Sequence, residues 1–232
     1  MQIISPQQSV RTGFRTPPRT GTGTGEEGKL GIMDFSEVLR GRRMVRHYRP
    51  EPIPEDVLQR IVRVVRRAPS GGFSQGHRLV VITDPAARAR IAAIAEPPYL
   101  EMGFQPWISQ APVHIALGIR EASYHERYQE PDKLLADGTE MTWPVPYWWF
   151  DSGCLFMLLQ LAAVAEGLAV GFFNSGDPET GEGLRAEIGF PDDVALSGML
   201  TIGYPAENPE TGPTSRVAKR RLPLEDLVTW RR

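Results

Sequence analysis

The sequence predicts an α+β or α/β protein built around one mixed sheet. Two observations predict it. From Met33 onward, segments with apolar residues at helical spacing alternate with short apolar runs of strand length. One run, residues 148–166, is too long for a strand and apolar on every side at its centre, so it is expected to be a helix buried on all sides. No internal repeat is visible.

The elements follow in order. The first helix covers residues 34–43, with Asp34 as N-cap and Glu37 three positions on. The second covers 54–67: Pro54 lies near its first turn, and Val57, Leu58, Ile61, Val62 and Val65 share a face. A strand at 78–83, an alanine-rich helix at 85–95 and a buried strand at 112–119 come next. Residues 121–146 hold charges and prolines with few periodic apolar positions, and read as a loop or lid. The long helix closes at Gly167, and a strand at 169–173 follows. A helix at 181–188 closed by Gly189, a strand at 196–203 and a last segment at 220–230 complete the chain.

Bulk properties narrow the function. A chain of 232 residues, 41% hydrophobic, can bury a core without staples, and residues 33–232 are expected to form it as one domain. A net charge of -2, from 26 basic and 28 acidic residues, argues against a general nucleic-acid binder but allows a local basic pocket for one anion. The single cysteine, Cys154, excludes an intramolecular disulfide framework and fits a reducing compartment. The most apolar stretch, 155–165, is too short to span a bilayer and carries Gln160, and the N-terminus lacks a secretory pattern. A soluble cytoplasmic protein is expected, with no membrane or nucleic-acid partner. Residues 1–32, rich in Gly, Thr, Pro and Arg, read as a disordered tail; the alternative is that Met33 is the natural start, and mass spectrometry of the native protein distinguishes the two. The tail matches a GxGxxG pattern at Gly23 to Gly28, but no apolar strand precedes it, and Glu26 and Glu27 would repel a phosphate.

Three segments carry chemistry. Arg42, Arg43 and Arg46 follow the first helix, and the arginine fork suits phosphate; the same charges also suit a helix C-terminus. The turn from Ala68 through Pro69, Ser70, Gly71, Gly72, Phe73, Ser74 and Gln75 lets the backbone approach a ligand, or is an ordinary helix-to-strand loop. Lys219, Arg220 and Arg221 offer further phosphate donors, or are solvated charge. Trp143, Tyr147, Trp148, Trp149 and Phe150 belong to the core and a subunit interface, or line a substrate cleft. His114 and His125 lack metal-ligand spacing, and no Ser-His-Asp order stands out.

Taken in order, R-R-x-x-R after a helix, P-E-P-I-P, A-P-S-G-G-x-x-Q, a long apolar helix ending in G-L, a helix ending in G-F-P, a strand ending in I-G-Y-P and a terminal K-x-R-L-P resemble the FMN-dependent nitroreductase family from about residue 34 to 232. The resemblance implies an α+β, nitroreductase-like fold in three layers, a mixed central sheet flanked by helices, in an intertwined homodimer with FMN in each interface cleft. It implies that Arg42, Arg43, Met44 and Arg46 lie along the flavin, with the arginines on its phosphate, ribityl chain and pyrimidine edge. It places Pro69, Ser70, Gly71, Phe73 and Gln75 on the partner's flavin. Phe173, Asn174, Ser175 and Gly176 would offer backbone N–H groups near flavin N5, and Lys219 and Arg221 would hold the phosphate. No protein group is assigned as acid or base, because the flavin carries the redox chemistry. The implied activity is electron transfer from NADH or NADPH to a nitroaromatic or quinone by a ping-pong sequence. Met44 stands where many members have Ser, Phe73 where many have Asn and Gly76 where Pro is frequent. These departures favour a specialised substrate. A specialised branch (natural-product tailoring, reductive dehalogenation or flavin-derived benzimidazole synthesis) and a flavin-storage protein are the alternatives.

Overall fold

The computed structural model describes residues 34–206 and 222–231. The expected tail, the alternative start at Met33, and Lys219, Arg220 and Arg221 lie outside the described residues. Eight α-helices are described: α1 (Phe35–Gly41), α2 (Glu55–Val62), α3 (Pro85–Ala95), α4 (Pro97–Glu101), α5 (Ala122–Tyr128), α6 (Tyr147–Ala165), α7 (Pro178–Ile188) and α8 (Leu224–Leu227). The strands are β1 (His77–Ile82), β2 (Val113–Ile119), β3 (Ala169–Phe173) and β4 (Ala195–Gly203).

The sheet runs β1-β2-β4-β3, and every neighbouring pair is antiparallel. This corrects the expected mixed sheet. After α6 the chain lays β3 at the far edge, and β4 returns between β2 and β3, antiparallel to both. Parallel pairing among the described residues is limited to one bridge, Met44 to Val170.

The three layers follow from the period-two alternation of β2. Val113, Ile115 and Leu117 pack with Leu58 and Ile61 of α2 and with Leu155, Leu159 and Ala163 of α6. Ala116 faces the other way, toward Ile91, Ala92 and Ala95 of α3 and Leu184 and Ile188 of α7. Ile61, Ile115 and Leu159 are fully buried, each contributing about 1.5–3 kcal/mol relative to exposure.

The helix boundaries have local causes. Asp34 and Glu37 form the anticipated capping box at α1. The expected helix over 54–67 is α-helical only to Val62, and Arg63–Arg67 tightens into a 3-10 turn before Pro69. Asp177 caps α7 by accepting from Thr180 N, which starts that helix three residues before the expected Gly181. The lid region contains α5, and α4 follows α3 after Glu96; neither helix was expected. The Glu96 Oε1 is buried and accepts from the backbone N–H of Trp107, Ile108 and Ser109, at 2.5, 2.6 and 3.2 Å.

The long helix α6 departs from expectation in two ways. It is not buried on all sides: Trp149, Phe150, Gly153 and Met157 form an exposed stripe at helical spacing. It is also long and apolar enough to cross a membrane, although its opposite face packs on the sheet as a core helix does.

Candidate functional site

The segment after α1 is fixed by backbone pairing to β3. Arg42 caps α1 in an extended conformation, and its N–H donates to Val38 O. Met44 then bridges Val170, and Val45 N donates to Val170 O at 2.9 Å. The buried Tyr48 hydroxyl donates to Val45 O at 2.7 Å and lies 2.7 Å from Thr201 Oγ1. The approach requires a glycine at 171: a Cβ there would sit 2.5 Å from Thr201 Oγ1 and 2.6 Å from Val45 O.

This anchoring leaves the arginines outside the core. Arg42 and Arg46 are half-buried, and Arg43 and Met44 are exposed. None of the three arginines forms an ion pair among the described residues, whereas Arg60, Arg90, Arg120 and Arg127 all pair with carboxylates. The Arg46 guanidinium lies 5.1 Å from the Phe104 ring centre and 5.3 Å from that of Trp107, and its buried Nε has no hydrogen-bond partner. A buried donor without a partner is costly, so this group fits an anionic or carbonyl-bearing ligand.

Phe173 belongs to the same framework. Its ring is fully buried and packs edge-on against Trp107 at 6.0 Å, so only its backbone is available to a ligand. Asn174 and Gly176 are exposed and Ser175 is half-buried, at the end of β3 beside the arginine segment.

The second constellation precedes β1. Gly71–Phe73 is a short 3-10 turn with Gly72 at φ 60, where a Cβ would collide with the Tyr128 ring. Phe73 and Gln75 also sit at positive φ, 63 and 53, the non-glycine residues described in that region. Three contacts hold them there. Gly71 N donates to Asp151 Oδ2 at 2.8 Å, Arg127 Nε donates to Gly72 O at 3.0 Å, and Gln75 N donates to Ser70 Oγ at 3.0 Å. Tyr124 donates its hydroxyl to the same Asp151 oxygen at 2.7 Å, and burial, then this carboxylate, push its phenol pKa up. Phe73 is 74% exposed, a large apolar ring held in a strained conformation at the surface. Ser70, Phe73 and Gln75 line a cleft of about 410 Å³ with Val65, Arg66, Ala68, His77 and Arg78; Pro69 is exposed beside it.

A larger cavity of about 730 Å³ lies elsewhere, among Tyr48, Pro52, Arg88, Gln110 and Pro112, and contains none of the anticipated site residues. Its arginine is occupied, with Arg88 Nη1 donating to Ala111 O at 2.7 Å. We assign the site to the unpaired arginines and the strained turn, where unsatisfied chemistry is concentrated.

The aromatic residues of 143–150 divide between buried or half-buried positions and exposed ones, and none of them lines the cavities described above. Trp143 and Trp148 pack with Tyr124, His125 and Tyr128 into a cluster over the lid, while Tyr147, Trp149 and Phe150 are exposed. His125 Nδ1 lies 2.7 Å from Glu140 Oε1, and this carboxylate raises its pKa. His114 is buried in the core, and burial lowers its pKa to about 4. The residues sequence reasoning missed are Asp151, Tyr124, Arg127 and Gly171. Asp151 had a signal, being the only acid in an otherwise apolar helix.

The two constellations stand at opposite edges of the sheet. The turn feeds β1 at one edge, and the arginine segment pairs with β3 at the other. Three strand spacings, roughly 14 Å, separate the edges.

The fold and the candidate site define an α+β protein with unpaired arginines at one sheet edge and a strained turn at the other, and the comparisons give its family. Residues 39–204 match the nitroreductase family model, and the chain belongs to that family. It is 28% identical over 225 residues to an NADH dehydrogenase of Thermus thermophilus, covering 88% of this chain and 100% of that one. It is 31% identical over 197 residues to a 5,6-dimethylbenzimidazole synthase of Rhodobacter capsulatus, covering 82% and 93%. Among solved structures, a protein of Exiguobacterium sibiricum described as a nitroreductase in complex with FMN superposes with a TM-score of 0.64 at 20% identity, covering 86% and 98%. That last likeness establishes the fold.

Proposed function

We propose that the protein is a homodimeric FMN-dependent oxidoreductase that takes electrons from NADH or NADPH and passes them to a small aromatic acceptor such as a nitroaromatic or quinone. The observation that carries this reading is Arg46, with its buried, partnerless Nε beside two further unpaired arginines. Bound FMN supplies the hydride chemistry. Arg42 and Arg43, with Lys219 and Arg221, hold its phosphate. Arg46, clamped by Phe104 and Trp107, orients a carbonyl edge and favours negative charge there. The backbone of residues 173–176 closes the same side. Ser70, Gly71, Phe73 and Gln75 of a second copy complete the cleft, because one copy holds the two halves at opposite edges. The exposed Phe73 ring forms an apolar wall against which aromatic acceptors stack.

The likeness to the benzimidazole synthase of Rhodobacter capsulatus favours a second reading, a specialised branch acting on the flavin itself or on an unusual acceptor. Anaerobic absorbance spectra of the purified protein separate the readings. Bleaching of a flavin spectrum by NADPH or NADH, restored by a quinone, supports the oxidoreductase. A flavin that neither donor reduces indicates storage or a different reductant. Arg46→Ala is expected to lower FMN affinity by roughly 10-fold or more, as loss of a charged hydrogen bond does. Unchanged flavin retention in that variant would remove the main support for the site.

A further inference from the structure

A second set of unpaired arginines lies next to the strained turn. Residues Arg63–Arg67 wind as a 3-10 helix, in which positions three apart fall on one edge, so Arg63 and Arg66 are neighbours and Arg67 follows. All three are exposed. None forms an ion pair or a side-chain hydrogen bond among the described residues, whereas Arg60, just before them, is held by Asp56 and Glu166. Arg63, Arg66 and Arg67 line a cavity of about 650 Å³. Arg66 also lines the cleft that holds Ser70, Phe73 and Gln75, so the two cavities adjoin at that residue. Arg78, on that cleft, is engaged otherwise: its Nη1 donates to Gln75 O and His77 O. The first cavity carries an aromatic surface, Phe73, and the second carries positive charge that no carboxylate among the described residues compensates.

We propose that Arg63, Arg66 and Arg67 form an anion subsite for the adenosine 2′-phosphate of NADPH, which makes NADPH the preferred donor. The inference rests on the donor reading above and names the donor. A dinucleotide with an aromatic nicotinamide at one end and a dianionic phosphate ester at the other matches the chemistry of the two adjoining cavities. Arginine forks bind such an ester through paired hydrogen bonds, and a bound dianion relieves the repulsion among three adjacent cations. The phosphates common to NADH and NADPH are the competing source of the same chemistry.

Calorimetric titration of the full-length protein with adenosine 2′,5′-bisphosphate and with adenosine 5′-diphosphate distinguishes the two sources without any redox step. The 2′-phosphorylated probe is expected to bind about 10-fold tighter, the scale of one or two charged hydrogen bonds. The Arg63→Ala, Arg67→Ala double variant, which leaves the cleft of Phe73 intact, should abolish that preference, and its KM for NADPH should rise about 10-fold while kcat and the KM for NADH stay unchanged. Arg66→Lys, which keeps the charge and loses the fork, should fall between. Equal affinity for the two probes, or a preference that survives the double variant, overturns the subsite. Oxidation of both dinucleotides without selectivity keeps the donor reading and overturns this inference. Selective 2′-phosphate binding with neither dinucleotide oxidised keeps the subsite and overturns the donor reading.

Discussion

Asp151 carries two hydrogen bonds on one oxygen, from Gly71 N and from the Tyr124 hydroxyl, and is 5% exposed. It therefore ties α6 to the turn before β1 and to α5 at once. Removing its carboxylate leaves two donors without an acceptor in a buried place. Asp151→Ala is expected to cost about 2–3 kcal/mol of unfolding free energy, while Asp151→Asn, which keeps one carbonyl oxygen for both donors, should cost less. Urea denaturation of the two variants checks this, and equal midpoints for Ala and wild type would show that the turn is held some other way. The same anchor links stability to the site: a loosened turn moves Phe73 and Gln75, so flavin retention should fall in step. Gly171 acts at the opposite edge, where its missing side chain lets the Arg42–Arg46 segment lie against β3.

Among the elements, the turn at 70–75 stores the clearest strain. Two non-glycine residues in the left-handed region each cost about 1–2 kcal/mol relative to a glycine. Gln75 is exposed, and its hydrogen bond to Ser70 uses only its backbone N–H, so Gln75→Gly keeps that bond. The substitution is expected to raise stability by about 1 kcal/mol, net of the entropy glycine adds to the unfolded chain, and to weaken ligand binding by freeing the loop. A thermal midpoint that falls instead would mean that the Gln75 side chain packs on something essential. This turn also shows how far sequence reaches. Pro69, Gly71 and Gly72 marked it as a break and a close approach, but the positive φ of Phe73 and Gln75 comes from Asp151 and Arg127, 80 and 55 residues away along the chain from the groups they bind. Helices with a local cap, α1 and α3, were legible to within about two residues because Asp34 and Asp84 fix their starts. α5 was missed, since its apolar contacts are Trp143 and Trp148 rather than a regular stripe of its own. The antiparallel sheet was misread as mixed because strand order depends on where α6 sends the chain, which no local pattern records.

At the scale of the whole molecule, the two halves of the candidate site lie apart, and the proposed dimer is the arrangement that would join them. The Arg42–Arg46 segment and the strained turn occupy opposite edges of a four-stranded sheet, and α6 presents Trp149, Phe150 and Met157 to solvent. Phe35 and Leu39 of α1, and Leu224, Leu227 and Trp230 near the C-terminus, add further exposed apolar surface. Such surface on one chain is what a permanent interface leaves when its partner is removed. The proposed twofold arrangement places the turn of one copy against the arginines of the other and covers these residues together. Phe150, 68% exposed on α6, is the residue to charge. It is mostly exposed in one copy, so Phe150→Glu should fold, yet it would bury a carboxylate at the proposed interface. Sedimentation velocity is expected to show a dimer for the wild type and a monomer for the variant at micromolar concentration. Flavin should be lost with the dimer, because each half-site alone offers only one face, and the wild-type melting temperature should rise with protein concentration where the variant's does not. A monomeric wild type that retains FMN would require both constellations to serve different ligands, and the arginines of the β3 edge would then bind the cofactor unaided.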